Sequence, residues 1–192
     1  MADEAGQVIL DEDERDPEDE ARRSMALAQI RQYPDPALRL KAREVAEVDD
    51  DVRRLADRMI DLMHDAHGVG LAATQVGVLR RLFVFQAGDD EEPTAVVNPT
   101  FPERSTEAAT DDEGCLSLQG VLVPVERAVR VTLEGTGLDG EPLRLELEGL
   151  RARVVQHEVD HLDGTLIIDR TDTESRRTAM AKLRPQPVVI AR

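Results

Sequence analysis

The segment Gln156-His157-Glu158-Val159-Asp160-His161 carries two imidazoles four residues apart around a glutamate. On a helix that spacing is about 400° of rotation, so both rings leave one face and converge on one point. His157 and His161 can then grip one metal ion, while Glu158, about 100° round the helix, can handle the proton of a water on that ion. A catalytic metal usually takes a third protein ligand and leaves one position open. Cys115 is the leading candidate for that ligand. It is the sole cysteine, set in Glu113-Gly114-Cys115-Leu116-Ser117, where a glycine lets backbone approach a site closely. A single thiol excludes an intramolecular disulfide, and taken alone it also reads as core filler.

Upstream lies Gly68-Val69-Gly70-Leu71-Ala72-Ala73-Thr74-Gln75. The third glycine of a dinucleotide fingerprint is absent, and the segment follows a helix, not a strand. A small-residue loop ending in Gln can instead offer backbone groups to an extended peptide and an amide N–H to a developing oxyanion. By itself it also reads as a turn that ends a helix. His64 and His67 form an i,i+3 pair at that helix end, with no third ligand near them in the sequence.

The elements that must position these residues follow from periodicity. Asp49 or Asp50 can cap a helix in which Val52, Leu55, Met59, Leu62, Met63 and Ala66 recur at helical spacing until Gly68, its methionines serving as core. Strand candidates follow at 82–85, 95–97 (ending at Asn98-Pro99), 107–112, 121–125, 129–133 and 143–147, the last two joined by a Gly-rich hairpin. Gly149 opens the histidine helix, buried by Leu150, Val154, Val155, Val159 and Leu162, and Asp163-Gly164 closes it. A final helix covers roughly 173–183. Strands clustered between outer helices predict an α+β fold: antiparallel β-sheets packed around the central HExxH helix, with an N-terminal and a C-terminal helix.

The 192 residues suit one domain, and with three Phe, one Tyr and no Trp its core must be aliphatic. The net charge is −16, and residues 1–20 hold ten acids against Arg15 alone. Residues 1–24 are therefore expected to be a disordered acidic leader, 25–184 the catalytic domain and 185–192 a tail. No apolar run approaches the ~20 residues of a membrane span or a signal-peptide core, so the expected location is cytoplasmic, without membrane contact. The sign of the charge disfavours nonspecific nucleic-acid binding by the surface as a whole.

Taken together, Gly68–Gln75, Glu113–Ser117 and Gln156–Gly164 resemble the peptide deformylase family. They match its GxGLAxxQ, EGCLS and QHExDHLxG motifs in order without a mismatch, and the similarity extends over about residues 25–170, including Tyr33–Arg39. The resemblance implies one Fe(II) per chain, for which Zn, Ni or Co can substitute, held by Cys115, His157 and His161. It implies hydrolysis of the formyl group from N-formylmethionyl nascent peptides, with release of formate. Gln75 and the Leu116 N–H would hold the oxyanion, and Glu158 would carry the proton from the water to the departing amine. The methionine side chain would enter a slot of Val69, Gly70, Glu113, Gly114, Leu150 and Val154, with Arg153 either at its rim or simply on the surface. The protein is expected to be a monomer. Its C-terminal helix, basic overall across residues 170–192, is a candidate ribosome contact.

Two places depart from the family pattern. Many relatives have an acid before the first glycine motif and an arginine after the proline that follows EGCLS. Here those places hold His67 and Val125, so a supporting ion pair is expected to be missing. Met25-Ala26-Leu27-Ala28 resembles an ordinary family start, making Met25 a candidate initiator. Two rival readings follow from the residues. An HExxH endopeptidase would need a third ligand beyond the helix, and Glu174 is the one candidate. A metal sensor or peptide-holding module would need neither Glu158 nor Gln75.

Overall fold

The computed structural model describes residues 16–88 and 91–184. Helix α1 (Pro17–Gln29) begins inside the segment expected to be a disordered leader. Asp16 caps it by accepting from the Glu18 N–H, and Pro17 occupies the first turn, where its missing N–H is not needed. Glu18, Asp19 and Glu20 suit the positive end of the helix dipole, so part of the acidic block serves to start a helix. Met25 stands exposed inside α1. Residues 1–15 of the leader and the tail 185–192 lie outside the described residues. Ala26, Leu27 and Ile30 of α1 pack into a core cluster with helix α2 (Asp50–Asp65).

Asp49 caps α2 by accepting from the Val52 N–H at 2.9 Å, and Val52, Ala56, Met59, Leu62 and Met63 form its buried face. The helix stops in a Schellman turn. Gly68 donates to the Met63 carbonyl at 2.8 Å and His67 to that of His64 at 2.9 Å, with His67 at φ 57. This turn feeds directly into strand β1 (Gly70–Ala72), part of the segment the sequence presented as a loop.

The remaining strands are β2 (Leu82–Phe85), β3 (Thr94–Arg104), β4 (Ala108–Glu113), β5 (Val123–Ala128), β6 (Arg130–Thr136) and β7 (Pro142–Glu148). Five make one antiparallel sheet in the order β1-β2-β3-β6-β7, and β4 pairs with β5 in a second sheet. β3 runs past Asn98-Pro99, where the sequence suggested its end. Asn98 sits at φ 50 beside a register shift, and its side-chain amide bonds both the N–H and the C=O of Val45. The irregular step lets the proline pass without a missing ladder bond ending the strand.

Helix α3 (Gly149–Leu162), which carries the HExxH segment, has ten buried residues out of fourteen. Ala152, Val155, Val159 and Leu162 pack on Phe83, Phe85, Val131, Leu133 and Leu147 of the large sheet. The short helix α4 (Ile167–Arg170) and helix α5 (Thr173–Lys182), capped by Asp172, cover a third cluster built on Leu38, Cys115, Val123 and Val125. The architecture is the expected α+β one, with antiparallel sheets around the HExxH helix.

Candidate metal centre

Burial of α3 between the sheets brings its inner face against the segment that follows β4. There Cys115 Sγ lies 3.2 Å from His161 Nε2, which lies 3.1 Å from His157 Nε2. The three ligand atoms all fall within 4.8 Å of one another. Lone pairs converging this way on one point suit a shared cation, and a thiolate with two imidazoles is a donor set for a divalent transition metal. His157 Nδ1 is 3.0 Å from Glu113 Oε2, which fixes the tautomer that leaves Nε2 free to ligate. His161 Nδ1 is buried and finds no partner among the described residues. Burial lowers the pKa of His161, and the neighbouring His157 charge takes it well below the usual value. Burial also opposes the charge on His157, but its hydrogen bonds with Cys115 and Glu113 hold its pKa well above.

Glu158 sits on the rim of this cluster. Its Oε2 is buried without a partner among the described residues, and burial pushes its carboxyl up to about 7 against the opposing His157 charge. Gly70 explains how it fits: a Cβ there would stand 2.4 Å from Glu158 Oε1. Gln75 accepts the Ala72 N–H at its Oε1 at 2.8 Å, which turns its Nε2 toward Ser117 Oγ at 3.1 Å and Cys115 Sγ at 3.8 Å. Leu116 is anchored through its carbonyl, which accepts from Gln32 Nε2 at 2.9 Å.

A cleft opens above the cluster. Val69, Gly70, Gln75, Glu113, Gly114, Cys115, Leu116, Leu150, Val154, His157 and Glu158 all line it, and His161 lies buried beneath. His67, Gly68 and Arg153 also line it. Arg153 is not a surface arginine: it reaches the cleft wall, as the first alternative had it, with its guanidinium buried and tied down. Its Nη1 donates to Glu113 Oε1 and the Val125 carbonyl, both at 2.8 Å, and its Nη2 to Asp111 Oδ2 at 2.6 Å and the Ala109 carbonyl at 2.9 Å.

Sequence reasoning missed Arg127. Its Nε and Nη2 grip the two Glu113 oxygens at 2.9 Å each, and its Nη1 reaches Asp160 Oδ2 at 2.5 Å. Burial opposes ionisation of Glu113, but the bonds from Arg127 and His157 outweigh it and keep the carboxylate charged well below the usual range. An ion pair therefore supports the site, from a different position than the Val125 departure suggested. The signal was present: Val123, Val125 and Arg127 alternate along β5 with their side chains inward. Ending the strand at Val125 hid the third member.

The other two histidines lie outside the Cys115–His157–His161 cluster. His64 Nε2 pairs with Gln86 Oε1 at 2.6 Å, and His67 Nε2 with Asp19 Oδ2 at 3.0 Å. Glu174 lies in the first turn of α5 beside a separate surface hollow with Val121 and Leu122, which removes the third ligand of the endopeptidase reading.

Comparison with known proteins agrees with this geometry. The polypeptide deformylase family matches residues 27–177. The chain belongs to that family. A peptide deformylase of Alkalilimnicola ehrlichii is 47% identical over 161 residues, covering 83% of this chain and 90% of its own. One of Chromohalobacter salexigens is 42% identical over 160 residues, covering 83% and 94%. Among solved structures, the peptide deformylase of Legionella pneumophila superposes with a TM-score of 0.76 at 39% identity, covering 80% of this chain and 91% of that one. The Thermotoga maritima enzyme gives 0.72 at 44% identity, covering 74% and 96%.

Proposed function

We propose that this chain is a metal-dependent peptide deformylase, which hydrolyses the N-formyl group of formylmethionyl nascent peptides and releases formate. The observation that carries the proposal is the convergence of Cys115, His157 and His161 beside a buried, unpartnered Glu158 oxygen, inside one cleft of a chain from this family. Among the described residues β1 is an edge strand of its sheet, and both it and residues 114–116 line the cleft. An extended peptide can add to such an edge through main-chain hydrogen bonds. The methionine side chain then fits against Val69, Leu150, Val154 and the stem of Arg153.

Cys115, His157 and His161 hold the metal, which when bound supplies a Lewis acid and a water whose pKa falls toward neutrality. We assign it as Fe(II), one per chain, with Zn, Ni or Co able to replace it. Gln75, its amide turned by the Ala72 N–H, donates Nε2 to the developing oxyanion together with the Leu116 N–H. Glu158 removes the water proton and delivers it to the departing amine. Glu113 orients His157, and Arg127 orients Glu113.

We place the protein in the cytoplasm as a monomer; among the described residues no helix is long and apolar enough to cross a membrane. Of the C-terminal basic residues, Arg170 is committed to Asp160 and Arg176 to Asp169. Arg177, Lys182 and Arg184 are left to meet ribosomal phosphate. Truncation after Arg170 that leaves ribosome association unchanged would remove this contact from the proposal.

The test of the activity is release of free amine from formyl-Met-Ala-Ser by protein purified anaerobically with Fe(II). Turnover that decays in air, alongside loss of iron, supports the assignment. Metal-loaded protein without turnover refutes it.

A further inference from the structure

His67 has a conformation and a partner that the metal centre does not call for. It occupies the position after the α2 C-cap at φ 57, the left-handed slot where glycine is usual and a side chain is strained. Strain held at a site is a pointer to function when an observed outlier carries it. The ring lines the cleft, and its Nε2 lies 3.0 Å from Asp19 Oδ2. Asp19 belongs to the first turn of α1, ahead of residue 27, where the family match begins. A carboxylate from outside the matched span thus reaches a residue of the cleft wall.

The orientation of β1 says which part of a substrate meets this pair, given the deformylase reading above. Gly70 lies against Glu158, and the chain leads away from it through Val69 and Gly68 to His67. A formyl group at Glu158 sets the peptide's N-terminus beside Gly70. The residues after the methionine then run antiparallel to β1, past Gly68 toward His67. Other contacts also hold α1. Ala26, Leu27 and Ile30 seat the helix, and Arg58 Nη2 donates to Gln29 Oε1 at 3.1 Å at its other end.

We propose that His67 is a specificity-determining contact for the substrate residues that follow the formylmethionine, and that Asp19 of α1 is the residue that positions it. α1 is then the outer wall of the substrate groove. His67 touches the peptide, and Asp19 acts through His67.

The test compares kcat/KM for formyl-Met-Ala-Ser with that for formyl-Met methylamide, which ends before the rim, using the full iron-loaded chain. The expected result is a fall of about threefold in the long-to-short ratio for Asp19→Ala and for His67→Ala, the scale of one partly exposed hydrogen bond, expressed mainly in KM. The double variant should lose no more than the larger single loss, and Asp19→Glu should restore the ratio. Arg58→Ala, which loosens α1 at its far end, should keep the wild-type ratio. An unchanged ratio in folded Asp19→Ala protein overturns the proposal, and so does an equal fall in Arg58→Ala, which would make α1 docking the cause. Wild-type protein inert on both substrates is a separate failure: it overturns the deformylase reading and this proposal with it.

Discussion

Replacing Arg127 with alanine tests whether the site rests on its buried charges. The guanidinium makes three hydrogen bonds to two carboxylates, and its side chain and that of Glu113 are only 6% and 5% exposed. Breaking a buried ion pair by removing one partner costs about 3–5 kcal/mol, because the remaining charge stays buried without compensation. Here each carboxylate keeps another arginine. Arg153 remains on Glu113 at 2.8 Å and Arg170 on Asp160 at 2.6 Å, so the loss belongs at the lower end, about 3 kcal/mol. For a domain of this size that is roughly 6–12 °C in melting temperature. Loss of an outer-shell partner of a ligating histidine also weakens metal binding, by about 10–100-fold. Thermal melts of metal-loaded and metal-stripped protein separate the two effects, and competition against a chelator reads the affinity. If Arg127→Ala melts within about 1 °C of wild type and holds metal as tightly, then Glu113 is anchored by Arg153 alone and the chain of positioning from Arg127 to His157 is wrong.

Four further outcomes follow from the same geometry. Glu158→Gln should keep its metal, since Glu158 is not a ligand, and lose about 10²–10⁴ in kcat, checked by metal analysis beside single-turnover rates. Because Glu158 must be ionised to take a proton, the wild-type rate should fall on the acid side. Its carboxyl sits at about 7 without a metal, and a bound cation favours the charged form, so the half-maximal point should lie below about 7. Gln75→Ala should lose about 10²–10³ in kcat with metal content intact; metal-free variant protein would show that the residue builds the site instead. Gly70→Ala places a Cβ 2.4 Å from Glu158 Oε1 and should displace the carboxylate, lowering kcat while the iron content stays at one per chain.

The meeting of Cys115, His157 and His161 was anticipated because two imidazoles at helical spacing share a face whatever the fold, while the lone thiol, which also reads as core filler, joined them through the family motifs. The antiparallel sheets were visible in the alternation of residues 82–147. β1 was not readable. Three residues carry no period, and Gly70-Leu71-Ala72 is a strand only because Phe85, Val84 and Phe83 lie opposite. The first turns of α1 were hidden by composition, since ten acids in twenty residues argue for disorder while the capping value of Asp16 and Pro17 is local. Arg127 was missed, and Arg153 left between rim and surface, for a common reason. Arginine is normally solvent-exposed, and burying one becomes tolerable only through partners such as Asp111, Glu113 and Asp160, which are far away in sequence.

Those partners explain why an acid immediately precedes the Gly114-Cys115 step. Glu113 is the last residue of β4, two residues before Cys115, and its carboxylate receives Arg127 of β5, Arg153 of α3 and the Nδ1 of His157. One buried anion therefore ties the small sheet to the central helix at the point where Cys115 meets the two histidines. Arg127 continues the connection to Asp160, which precedes His161 and is itself held by Arg170 of α4. The positions of Cys115 and the two histidines, about forty residues apart in sequence, are thus coupled by charge as well as by packing. The three arginines and three carboxylates of this set largely cancel, so an acidic protein can keep a cation site without leaving it open to uncompensated anions. Metal-site geometry and domain stability then share residues, and a substitution at Arg127 or Glu113 should not be able to alter one while sparing the other.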